Sequence, residues 1–145
     1  MTYEELMQRI RSALLIRDYE LAEGFIRECI AIRPENPNLH TLLGNVYTRT
    51  QRLQDAIREY QKSIELKPVN PDAYNNIGVV YRGEGNLTEA LRALTKAYQL
   101  APQRADIAYN IANFYKQAGE AERAVEFYRR SIELDPQFAM PYSNL

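Results

Sequence analysis

The sequence predicts an all-α solenoid of antiparallel helix pairs. Three observations carry the prediction. Prolines recur at Pro34, Pro68, Pro102 and Pro136, and alanines at Ala22, Ala56, Ala90 and Ala124, every step being 34 residues. Apolar and small residues between these markers keep a helical period. Tyr74, Ile77, Gly78 and Tyr81 lie on one face of a first helix, and Ala90, Leu94, Ala97 and Tyr98 on one face of a second. Glu84-Gly85-Asn86 separates the two stripes, and Pro102 ends the second, because the residue before a proline is pushed out of the helical region.

A 34-residue helix–turn–helix period resembles the tetratricopeptide repeat. That family places a large residue at position 4, an apolar one at 7, a small one at 8, an aromatic one at 11 and Gly at 15. It continues with Ala at 20, a large residue at 24, a small one at 27 and Pro at 32. Counted from Pro71, these are Tyr74, Ile77, Gly78, Tyr81, Gly85, Ala90, Leu94, Ala97 and Pro102. The resemblance runs over residues 3–145 and implies a single array wound into a right-handed superhelix.

Taken in order, residues 3–36 form the most divergent repeat. Leu6, Ile10 and Ala13 keep a core face, but Arg9 stands in an apolar slot and Ile10 in a small one. A second helix follows through Tyr19, Ala22, Ile26, Cys29 and Ile30, and the whole reads as an atypical terminal cap. Residues 37–70 open on Asn36-Pro37 and residues 71–104 on Asn70-Pro71, a capping residue followed by proline at the first helical position. Leu43, Gly44 and Tyr47 face Ala56, Tyr60 and Ser63. Residues 105–138 put Ile111, Ala112, Tyr115, Gly119, Ala124, Tyr128 and Ser131 in the same slots. Gly44, Gly78 and Ala112 are expected to let the helices of a pair approach closely. Residues 139–145 start a fifth repeat with Tyr142 and Leu145. Two readings of that stretch stay open: a piece of a longer repeat protein, or an end that pairs with another copy.

Composition narrows the function. The chain has 18 basic and 19 acidic residues, too balanced to draw nucleic acid or an anionic membrane. No apolar run is long enough to span a bilayer, and the start, MTYEELMQRIRS, lacks a signal-peptide core. One cysteine cannot form an internal disulfide, which points to a reducing, cytoplasmic setting. No catalytic constellation is present. His40 occupies a bulky packing slot and Cys29 a small core slot. No ligand spacing suggests a metal, no cofactor motif occurs, and Gly83-Glu84-Gly85 lacks the Gly-Lys-Ser/Thr ending of a phosphate loop.

The resemblance implies that first helices line a concave groove through positions 2, 5, 6, 9, 12 and 13. Positions 2, 6, 9 and 13 share one helical stripe. They read Asn38, Leu42, Asn45 and Arg49; then Asp72, Asn76, Val79 and Gly83; then Asp106, Asn110, Asn113 and Gln117. Asn76, Asn110 and Asn144 are 34 apart. An amide both donates and accepts, so such a row can hold the backbone of an extended peptide. The row resembles the asparagine ladder in the repeat arm of the O-linked N-acetylglucosamine transferases. Asn75 and Tyr109 complete the candidate face, with Arg49, Arg82 and Lys116 late in their helices and Asp72 and Asp106 early. That charge order has two readings, complementarity with the helix dipole or a groove with a basic edge. Co-chaperone repeats that clamp a terminal carboxylate need three cations where this chain has Thr41, Asp106 and Asn110. The expected function is a non-catalytic protein-interaction scaffold that holds an extended peptide or a partner helix in the concave groove. The alternatives are a substrate-presenting arm of a larger, glycosyltransferase-like enzyme and an assembly module self-associating through its C-terminal end.

Overall fold

A computed structural model describes residues 1–137. Among them are eight α-helices and no strand: α1 Tyr3–Leu15, α2 Tyr19–Ile32, α3 Pro37–Arg49, α4 Leu53–Leu66, α5 Pro71–Gly83, α6 Leu87–Leu100, α7 Ala105–Gln117 and α8 Ala121–Leu134. The expected fifth repeat at 139–145, with Asn144 and the self-associating end, lies outside the described residues. The chain forms two compact units, Met1–Pro68 and the part from Val69 onwards.

Local chemistry sets the helix starts. Thr2 and Glu5 form a reciprocal capping box on α1, and Asp18 accepts the Leu21 N–H at 3.1 Å to start α2. Asn36 and Asn70 accept the N–H groups of Asn38 and Ala73, each ahead of a proline whose missing N–H would have had no partner anyway. Every pair turns in the same way. Asp18, Arg52, Asn86 and Glu120 each donate their N–H back to Ala13, Tyr47, Tyr81 and Tyr115. The residue before each donor is left-handed: Arg17, Gln51, Gly85 and Gly119, with φ between 61° and 81°. Glycine reaches that conformation without strain, and two of the four turns do without it.

In the first unit α1 packs on α2, α2 on α3 and α3 on α4. The core runs through Leu6, Ile10, Ile26, Leu39, Leu43, Val46 and Tyr60, all at most 2 % exposed. Cys29 is buried with its Sγ 3.9 Å from Met7 Sδ, the small core residue its slot called for. Tyr60 lies so close to α3 that a Cβ on Gly44 would sit 2.6 Å from its ring. His40 is also buried, but not merely as bulk. Its Nδ1 is 2.9 Å from the Glu59 carboxylate and its Nε2 3.2 Å from the Pro34 carbonyl. Glu59, itself buried, also accepts from Lys62 at 3.1 Å.

In the second unit α5 packs on α6, α6 on α7, α7 on α8, and α5 also touches α7. Ala90, Leu94, Ala97, Ile107 and Phe114 form its main core, with Tyr74, Tyr98 and Phe127 at the margin. Gly78 permits this: a Cβ there would lie 2.7 Å from Leu94 Cγ. Ala112 and Ala124 enclose Tyr128 in a second cluster. Complete burial of one side chain of Leu94's size stabilises by ~1.5–3 kcal/mol, so the small residues opposite are a stability requirement.

Candidate interaction face

The side-by-side contact of α5 and α7 gathers most of the predicted site residues in the second unit. Asn110 Nδ2 donates to Asn75 Oδ1 at 2.9 Å, and Asn75 is 5 % exposed. Asn75 is therefore a buried tie between the two helices rather than a surface group. Asn110 commits one amide hydrogen to that tie, and among the described residues its Oδ1 has no partner. Asn76 is half-buried beside it in sequence. One end of the face is closed by Gln117, whose Nε2 donates to the Arg82 carbonyl at 3.1 Å while Arg82 Nη1 reaches its Oε1 at 3.5 Å.

The other end is held by Arg104. Its guanidinium donates to both Asp106 oxygens, at 3.1 and 2.7 Å, and also to Asp72. The Asp106 hydrogen bonds, against a smaller loss from burial, and then those of Asp72 raise its pKa further above the ordinary arginine value. The two early acids are thus neutralised in place, beyond any dipole effect. Arg104 stands at the helix start where the two preceding repeats carry Asn36 and Asn70, and its side chain does not cap.

Asn113 has a different partner. Its Oδ1 accepts the Tyr128 hydroxyl at 2.5 Å, and Asn45 Oδ1 in the first unit accepts the Tyr60 hydroxyl at 2.6 Å. In the third repeat the two positions are Val79 and Leu94. Amide goes with phenol, and aliphatic with aliphatic. That pairing is printed in the sequence 15 residues apart, and the position-by-position reading missed it. Burial pushes the pKa of Tyr128 up, helped by Tyr109, whose ring lies 5.7 Å away, and opposed by Arg82. Burial also raises that of Tyr60, with the Thr48 hydrogen bond opposing.

Two of the predicted basic groups are uncommitted. Lys116 and Arg49 are exposed, with no ion pair among the described residues; Arg49, like Asn45, stands on α3 in the first unit. Arg82 is half-buried, and among the described residues its Nε is buried without an acceptor. Among those residues no three His, Cys, Asp or Glu side chains converge on a metal geometry, and no helix is long and apolar enough to cross a membrane.

Comparison with known proteins agrees with this architecture. Residues 44–83 match a TPR repeat family model and residues 81–142 a tetratricopeptide repeat model. TTC0263 of Thermus thermophilus, a thermophilic TPR protein, superposes with a TM-score of 0.89 at 19 % identity, over 99 % of this chain and 79 % of that one. YrrB, described as a TPR protein with an unusual peptide-binding site, gives 0.79 at 22 % identity over 99 % and 74 %. MamA gives 0.80 at 22 % identity over 95 % and 81 %. No curated protein matches the chain by sequence. Repeat models matching residues 44–83 and 81–142 and the shared helical architecture give one conclusion: the chain carries tetratricopeptide repeats and has the all-helical solenoid fold of that class.

Proposed function

We infer that the chain is a non-catalytic protein-interaction module, and that the α5–α7 face holds an extended peptide. The observation that carries this is the arrangement of amides on that face. Asn110 is oriented by Asn75 and, among the described residues, retains a carbonyl oxygen, and Asn76 follows Asn75 on α5. A positioned amide binds a peptide backbone without a further loss of side-chain freedom. Asp72 and Asp106 are bridged to Arg104, whereas among the described residues Lys116 is unpaired and one Arg82 nitrogen lacks an acceptor. A buried donor without an acceptor costs ~1–3 kcal/mol, which a ligand carboxylate recovers by drawing the guanidinium out. The favoured ligand is accordingly an extended peptide with an acidic residue near Arg82 and Lys116. Arg49 on α3 is a further exposed cation in the first unit.

The test selects peptides from a displayed library against the full chain and measures their affinity for Asn76→Ala/Asn110→Ala and for Arg82→Gln/Lys116→Gln. Both doubles should weaken binding by about tenfold or more, with helical circular dichroism unchanged. Only the cation double should abolish a preference for acidic sequences. Undiminished binding by both variants would reject this face as the site.

A further inference from the structure

The first unit carries apolar surface that its own packing leaves uncovered. Leu15 is 86 % exposed, Ile16 70 % and Leu21 44 %, and all three lie at the turn from α1 into α2. The equivalent turn positions are Arg49-Thr50, Gly83-Glu84 and Gln117-Ala118. Along α2 the difference continues. Leu21 stands where the other second helices have Asp55, Glu89 and Arg123, and Gly24 where they have Arg58, Arg92 and Glu126. Glu28 stands where they have Lys62, Lys96 and Arg130. At these three positions α2 has lost two charges that the other second helices keep and reversed the sign of the third.

What replaces it is a shaped surface. Leu21, Gly24, Phe25 and Glu28 share one face of α2 and line an open cleft with Asp18 and Glu20. A Cβ on Gly24 would meet nothing within 4 Å. Glycine weakens a helix interior, and here no close approach inside the protein requires it. The rim is acidic. Asp18, Glu20 and Glu28 carry three carboxylates; Arg27 is turned to Glu23 and Tyr47, and Arg17 precedes Asp18 in the chain.

We propose that this α2 face docks an amphipathic helix of a partner protein, its apolar residues seated over Leu21, Gly24 and Phe25 and its lysines or arginines paired with Asp18, Glu20 and Glu28. The notch admits a bulky side chain, and the carboxylates select a basic helix over an acidic one. They also disfavour an anionic lipid surface. The site lies in the first unit and does not depend on the α5–α7 face.

The probe is a fluorescein-labelled helical peptide with leucines on one face and lysines on the other, titrated against the full chain by anisotropy. A control peptide has glutamates in place of the lysines. The variant Gly24→Arg/Glu28→Lys restores residues that α4 and α6 carry at these positions, and the arginine enters open space. It should retain its helicity and bind the leucine–lysine peptide about tenfold or more weakly, while the native chain ignores the leucine–glutamate peptide. Leu21→Asp, copying α4, should act in the same direction and serves as the second variant. Equal affinity in the variants, or equal binding of the acidic peptide, overturns the proposal. Binding to phosphatidylserine–phosphatidylcholine vesicles that the variants abolish would assign the face to lipid instead. A dimer seen by sedimentation in the native chain and lost in the variants would assign it to a second copy.

Discussion

Replacing Gly78 with alanine pits two effects of known size against each other. Alanine favours an interior helical position over glycine by ~0.8–1.0 kcal/mol. Against this, the new Cβ would lie 2.7 Å from Leu94 Cγ, 2.9 Å from Leu94 Cδ2 and 3.2 Å from the Leu94 backbone nitrogen. Carbon pairs rest at ~3.5–4.0 Å. A new rotamer could move the Leu94 side chain but not its backbone nitrogen, so α5 and α6 must separate. Overpacking of this kind costs ~1–3 kcal/mol. The net expectation for Gly78→Ala is a loss of up to ~2 kcal/mol, combining the overpacking cost with the propensity gain. Gly24→Ala is the control, because it brings the same propensity gain into open space and should stabilise by up to ~1 kcal/mol. Urea unfolding followed by circular dichroism at 222 nm gives both values. The two substitutions should have opposite signs. If Gly78→Ala stabilised the protein as much as Gly24→Ala does, close packing would not be the reason for glycine at position 78.

Two further outcomes follow from the buried phenol and the bridging guanidinium. Tyr60 has a raised folded pKa, so the folded state holds the phenol proton more tightly than the unfolded chain, whose tyrosines ionise near pH ~10. Its contribution is complete below that pH and is lost as pH rises through the folded value. The urea midpoint should fall from pH 8 to alkaline pH, and Tyr60→Phe should flatten that fall while lowering the neutral-pH value through loss of the Asn45 contact. Arg104→Met leaves Asp72 and Asp106 without their shared cation. The pair is solvent-screened, so the loss should be at most about 1 kcal/mol at low salt and should shrink in 1 M salt, as thermal melts at two ionic strengths would show.

The helices and their packing partners were legible because the physics that sets them is local and periodic. A proline at every 34th position and small residues opposite large ones leave little choice of fold. The face was harder to read. Asn75 was placed in the groove by its slot, but α5 and α7 approach so closely there that its amide is consumed as their tie. Nothing in the sequence marks Arg104, because it replaces a capping asparagine and its role depends on Asp72, which only folding brings near. The slot of His40 implies only bulk, since its partner Glu59 lies on the opposite helix of the pair. Slot-by-slot comparison finds what each position repeats. It misses contacts that belong to two positions at once.

The amide–phenol pairs have a consequence for how such chains can change over time. Asn45 with Tyr60 and Asn113 with Tyr128 are one solution, and Val79 with Leu94 is another. Mutating from one to the other a residue at a time passes through valine facing a hydroxyl, or asparagine facing leucine. At the Tyr128 pair, valine in place of Asn113 takes away the printed acceptor of a largely buried hydroxyl, so the two positions are coupled. Duplication and exchange of whole 34-residue segments carries both members together and bypasses that valley. Pairs of this sort should therefore travel as linked alleles of the repeat, and their combinations record which segment was copied from which.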